Sequence, residues 1–137
     1  MASRHKSREI ALQGLYQREL VDADLQDILK FDWYDKKIEQ EEKEYAADLI
    51  CGVIENWELI DNKIREHSTS RAIDRISVVN RCILRIGIYG LLFDKNTPYQ
   101  VVIDEALRLT REFEKEESVQ FINGVLDSLY RKESAGR

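Results

Sequence analysis

The stretch Ile76–Phe93, ISVVNRCILRIGIYGLLF, decides the fold. Of its eighteen residues only Ser77, Asn80, Arg81 and Arg85 are plainly polar. Apolar side chains recur at Val79, Cys82, Ile83 and Ile86, and again at Leu84, Ile88, Leu91 and Leu92. The two series together cover most of a helix circumference, and a helix that is apolar nearly all round is buried on several sides. At 1.5 Å per residue it runs about 27 Å, the width of a small domain. A strand is usually about five or six residues long, and two arginines argue against a membrane span. The stretch therefore predicts the central helix of a helical domain.

The rest of the chain agrees with that class. At 137 residues it is long enough for one domain, residues 1–137, with a core that needs no disulfide or metal. A hydrophobic content of 43% beside 34% charged residues fits a globular chain and neither a disordered nor a membrane protein. One proline and six glycines leave little material for the turns of an all-β fold. Cys51 and Cys82 both fall in apolar helical patterns, where a cysteine acts as a small hydrophobe, so a reducing compartment is expected. The N-terminus is charged and carries no apolar leader, which predicts a cytosolic protein.

Helical spacing extends in both directions from the central stretch. Ile10, Ala11, Leu12, Leu15, Tyr16 and Leu20 predict a first helix from about Arg4 to Leu20. Arg4, Arg8, Leu12 and Tyr16 follow one another at i, i+4, so the apolar stripe turns basic towards the N-terminus. That pattern predicts a first turn that overhangs the body, with Tyr16 where the overhang meets the core. A short helix around Leu25–Phe31, capped by Asp22 or Asp24, precedes a third whose acidic start, Glu39–Glu44, suits the helix dipole. Leu59, Ile60 and Ile64 add a further amphipathic turn or two. The central helix is expected to be capped by Asp74 or Ser77. Thr97-Pro98-Tyr99-Gln100 is a start signal for the next helix, and Ser118 is the expected cap of the last. Asn123-Gly124 is a common hairpin turn, but Ile122, Val125, Leu126, Leu129 and Tyr130 keep helical spacing around it. Gly14, Gly52, Gly87, Gly90 and Gly124 all lie inside predicted helices. Each costs about 0.8–1 kcal/mol relative to alanine there, which points to close helix–helix approach.

The charge pattern says more than its total of −5. Residues 1–8 carry Arg4, Lys6 and Arg8 and no acid; residues 21–67 hold fourteen acids against six bases; residues 71–95 hold five bases against two acids. An acidic chain with two basic segments suits either one basic face for a polyanion or locally paired arginines. No catalytic set stands out. His5 and His67 have no cysteine or second histidine near them in sequence, so no metal site is expected. There is no phosphate-binding glycine loop, and Asp104-Glu105 is read as a solvated pair. The residues alone describe a helical binding module with some basic character and no cofactor.

Four motifs go further. Arg8-Glu-x-Ala-Leu-Gln-x-Leu-Tyr16, Arg85-Ile-Gly-Ile-Tyr89, Pro98-x-x-Val101-x-Ile103-Asp104-Glu105-Ala106 and Phe121-Ile-Asn-Gly-Val-Leu-Asp127 together resemble the NusB family of bacterial transcription antitermination factors. The resemblance spans nearly the whole chain. It implies an all-α fold of about seven helices, two packed three-helix-type subdomains around the buried central helix. It also implies a non-enzymatic factor that binds single-stranded boxA RNA of ribosomal RNA leaders together with the ribosomal protein NusE. That complex joins the RNA polymerase elongation complex with other Nus factors and suppresses termination. By the same resemblance, RNA binding falls on Arg4, His5, Lys6, Arg8, Tyr16, Glu117, Gln120, Phe121 and Asn123, and the NusE side on Tyr16, Asp74, Asn80 and Arg81. Asn80 and Gly90 stand where many members carry an acid. Phe121 also reads as core, and Arg81 and Arg85 as salt-bridged helix residues. Two other classes compete: a protein–protein adaptor without direct RNA binding, and the RNA-binding module of a ribosomal RNA methyltransferase. The second is disfavoured because the sequence leaves only about ten residues after its last helix. Monomer and homodimer both stay open.

Overall fold

The structure, a computed structural model, describes residues 2–134. These residues form seven α-helices and no strand: α1 (Arg4–Val21), α2 (Leu25–Ile28), α3 (Gln40–Glu55), α4 (Trp57–His67), α5 (Val78–Phe93), α6 (Tyr99–Phe113) and α7 (Glu116–Ser134). A 3-10 turn, Ile73–Arg75, leads into α5. As the apolar circumference of Ile76–Phe93 requires, α5 packs against α1, α3, α4, α6 and α7, and every residue from Cys82 to Ile88 is buried. α1 and α3 pack together and against it, with α2 held on α1; α6 and α7 pack together and against it, and α4 reaches both α5 and α7. No helix among the described residues is long and apolar enough to cross a membrane. Both cysteines are free thiols.

The caps show where local signals were overridden. Ser77, not Asp74, caps α5, its Oγ accepting from the Asn80 N–H at 3.1 Å. The Thr97 hydroxyl donates to Asp94 at 2.7 Å and leaves Pro98 to precede α6. α7 begins before Ser118, which is buried and accepts from Asn80 Nδ2 at 3.1 Å. Asn56 ends α3 by donating from Nδ2 to the Gly52 carbonyl at 2.8 Å, so Trp57–His67 becomes a helix of its own.

Four glycines stand at close approaches between helices. A Cβ on Gly14 would lie 2.9 Å from Ile50, on Gly87 2.9 Å from Leu126 and on Gly90 2.8 Å from Val102; on Gly52 it would collide with the Tyr89 ring. Gly124 differs, because a Cβ there would meet nothing within 4 Å. The core runs without interruption from Ile10 on α1 to Leu129 on α7, with Ile83, Leu84 and Ile88 of α5 fully enclosed. Truncation at its centre, Leu84→Ala, should cost about 2–5 kcal/mol in urea unfolding; a change below about 0.5 kcal/mol, as surface substitutions give, would contradict central burial.

Candidate functional site

The basic head does not overhang. Ser3 caps α1, its Oγ accepting from the Lys6 N–H at 3.2 Å, and its own N–H donates to Glu42 Oε2 on α3 at 2.8 Å. Glu42 also accepts from the Glu39 N–H at 2.9 Å, in a capping box that starts α3, and stands 3.5 Å from Lys6 Nζ. One carboxylate therefore ties the first turns of α1 and α3 together. Lys6 further donates to the Lys37 carbonyl. His5 is directed at α6: Nδ1 is 2.7 Å from Glu105, and Nε2 is 2.6 Å from Glu112 and 3.0 Å from Glu9. Arg8 is buried, with NH1 3.7 Å from Glu105 and NH2 donating to the Tyr45 hydroxyl at 3.3 Å. Only Arg4 is exposed, its guanidinium 4.4 Å from the centre of the Tyr45 ring. The expected overhang is overturned for a simple reason: carboxylates on α3 and α6, remote in sequence, attract the head and fold it onto the body. Glu105 is correspondingly no solvated surface acid.

These contacts move the carboxyl pKa values. Glu42 is held below the usual carboxylate range by the N–H groups of Glu39 and Ser3, then by Lys6. Burial and the neighbouring Glu112 raise Glu9. Glu112 is lowered: burial opposes its charge, but hydrogen bonds from Glu9 and His5 outweigh it.

The second basic segment is also largely internal. Arg85 is only 2% exposed; it donates from Nε and NH2 to Asp61 at 2.8 and 3.1 Å and from NH1 to Glu19 at 2.7 Å, with its guanidinium 3.9 Å from the centre of the Trp57 ring. Arg81 donates from Nε to Glu19 at 2.7 Å and caps the carbonyls of Ile73 and Ile76. Desolvation opposes the charge of Glu19, yet the two arginines lower its pKa. Burial likewise pushes the Cys82 thiol up to about 12. Asn80 is buried and bonded to Ser118, so its side chain is not on a partner-facing surface, and Arg81 is half-buried in its ion pair. Asp74 and Tyr16 are exposed.

Glu117, Gln120 and Asn123 are exposed at the start of α7, and Phe121 is half-buried beneath Arg71, whose guanidinium sits 4.6 Å from the ring centre. Tyr45 is spaced as an apolar position of α3, and nothing local in the sequence couples it to Arg4 or couples Arg71 to Phe121. The head reaches the end of α6, just before α7 begins. Glu112 touches His5, while Glu114, two residues on, accepts from the Ser77 hydroxyl at 2.8 Å. The turn between α6 and α7 thus lies between the head and the start of α5.

Two groups among the described residues gather metal-type ligands: His5, Glu9 and Glu112, and Glu66, His67 and Glu133. In each, the imidazole already meets protein partners through both nitrogens. His67 lies 3.0 Å from Ser128 Oγ through Nδ1 and 3.0 Å from Glu133 through Nε2, and Lys63 shares Glu133 at 2.8 Å. That network fastens α4 to α7.

Glu117, Gln120 and Asn123 offer polar groups and Phe121 an aromatic face at the start of α7, on a helical fold that known proteins share. Residues 5–131 match the NusB family model. The transcription antitermination protein NusB of Leptospira biflexa is 54% identical over 97% of this chain and 95% of its own. NusB of T. maritima superposes with a TM-score of 0.87 at 35% identity, covering 96% of this chain and 94% of its own. A NusB from a crystal structure of the antitermination factors NusB and NusE in complex with double-stranded RNA superposes at 0.84, with 28% identity and 93% and 96% coverage. This chain belongs to the NusB family.

Acid should release the head. Glu42 has a lowered folded pKa, so its contribution to stability is present above the unfolded value of about 4.3 and is lost as pH falls through the folded value. Glu42→Gln should therefore be less stable than wild type at neutral pH and show a shallower loss of stability between about pH 5 and 3 by denaturant titration. Superimposable acid limbs would show that Glu42 does not pin the head.

Proposed function

We propose that this chain is a transcription antitermination factor that binds single-stranded boxA RNA of ribosomal RNA leaders together with NusE. It acts in the cytoplasm with the elongating RNA polymerase and other Nus factors, as one domain, and by binding rather than catalysis. The observation that carries the reading is the start of α7, where Gln120 and Asn123 are exposed and Phe121 is half-buried under Arg71, with Arg4 exposed separately over Tyr45 of α3. Those side-chain types suit unpaired RNA: cations for phosphates, an aromatic face for stacking, and amides for base edges.

The folded-down head sets the affinity. Lys6, His5 and Arg8 already face carboxylates, so a phosphate must compete with Glu42 and Glu105 for them, and only Arg4 is offered freely. RNA binding by the free protein is then weak and is strengthened by NusE, for which Tyr16 and Asp74 remain exposed candidates. The same pairing favours the second reading, a protein adaptor whose head never meets RNA. Fluorescence anisotropy with labelled boxA and scrambled RNA, each with and without NusE, separates the two. With about three phosphate contacts the slope of log K against log salt should be near −2 for single-stranded RNA, and Arg4→Ala should flatten it by about 0.7. An unchanged slope removes Arg4 from the contact set; no preference for boxA under any condition leaves the adaptor.

A further inference from the structure

The two histidine–carboxylate clusters differ in what already neutralises them. Between α4 and α7, Lys63 Nζ lies 2.8 Å from Glu133 and 3.6 Å from Glu66, so an ammonium stands among the carboxylates beside His67. At the head, Glu9 Oε1 and Glu112 Oε1 converge on the same ring nitrogen, His5 Nε2, at 3.0 and 2.6 Å. One ring nitrogen carries at most one proton and cannot donate fully to two carboxylates. The arginines that face this cluster make longer contacts: exposed Arg108 is 3.6 Å from Glu112 and 3.9 Å from Glu105, and Arg8 is 3.7 Å from Glu105. Burial and then Glu112 raise the Glu9 carboxyl, as expected of two acids that share one place for a cation. The other nitrogen of His5, Nδ1, lies 2.7 Å from Glu105 Oε2. A carboxylate on the far nitrogen is what fixes the tautomer of a metal-ligating imidazole and leaves Nε2 its lone pair.

We propose that His5, Glu9 and Glu112 form a binding site for one first-row divalent cation of the zinc type, with Glu105 as the residue that orients His5. The three donor atoms lie within 4.8 Å of one another. Ligands about 2.0–2.1 Å from zinc stand about 3.3 Å apart, so the pairs at 2.6 and 3.0 Å part by less than about 1 Å to admit it. One nitrogen and two carboxylate oxygens suit zinc better than magnesium, which prefers oxygen and keeps its water. Glu112 is exposed, so water completes the coordination. His5 and Glu9 are one turn apart on α1 and Glu112 belongs to α6, so the ion locks these two helices together. Local sequence holds only the His5–Glu9 pair; the third ligand and the orienting acid come from α6, far along the chain. The site stands whether or not the chain binds RNA.

The test uses the full chain, calorimetric titration with zinc chloride, and thermal unfolding in zinc and in chelator. Wild type should take up one equivalent of zinc saturably, and zinc at about a hundred times its Kd should raise the melting temperature by roughly 5–10 °C. Magnesium should not compete. Glu105→Gln should weaken binding about 10–100-fold, the usual loss for an outer partner of a metal ligand, and Glu9→Gln and Glu112→Gln should weaken it more. In chelator Glu9→Gln should melt no lower than wild type, because its amide can donate to Glu112, so its lost zinc response is not a loss of fold. Glu66→Gln, in the other cluster, should bind as wild type does. No saturable uptake by wild type, or wild-type affinity in both Glu9→Gln and Glu112→Gln, overturns the proposal. So does loss of the zinc response in Glu66→Gln, which would place the ion beside His67. A lower melting temperature for Glu9→Gln in chelator would show Glu9 settled in its own ion pair and would also overturn it.

Discussion

Everything in this fold is hung on Arg85, a guanidinium enclosed in the middle of the most apolar helix. Taking such a charge out of water is expensive, and only well-formed hydrogen bonds and opposing charges offset it. Here Asp61 of α4 engages two of its nitrogens, Glu19 of α1 takes the third, and Trp57 covers its face. Arg81 then balances Glu19, so two cations meet two carboxylates. Apolar contacts alone would let α1 and α4 slide along α5. Directional bonds to one buried group fix where along α5 each must sit.

That fixed position has consequences at the other end of α1. With Glu19 anchored, the first turn of α1 lies against α3 and α6, where Glu42, Glu105 and Glu112 take up Lys6, His5 and the Ser3 amide. The result is a charge-balanced surface rather than a bare cationic tip. A polyanion gains less there than a count of basic residues suggests, because each phosphate displaces an existing carboxylate contact. Such a surface favours an RNA presented jointly with a second protein, whose own contacts add to the few this chain offers freely.

Much of this was legible in the sequence. The helical spacing on both sides of α5 and the acidic start of α3 depend on neighbours three or four residues apart, whereas Asp24 precedes α2 without a side-chain capping bond. The head was not legible: His5 meets Glu105 and Glu112 across more than ninety residues, and a local charge count cannot register that. Asn80 and Arg85 look alike as polar interruptions of an apolar helix, and only the tertiary partners, Ser118 in one case and Asp61 with Glu19 in the other, show that both are internal. Ser118 reads as a cap until Asn80 claims its hydroxyl. The glycines divide for the same reason. Spacing flags a close approach at each, but it cannot distinguish Gly87, which faces Leu126, from Gly124, which faces open space.

The most direct test of this account is a double-mutant cycle on Arg85 and Asp61, using Arg85→Met, Asp61→Leu and the pair together in urea unfolding. Each single change strands a buried charge and should cost about 3–5 kcal/mol, whereas the double change removes both charges and should cost far less than their sum. Small, additive effects would contradict it, and would mean that α5 is held by apolar packing alone.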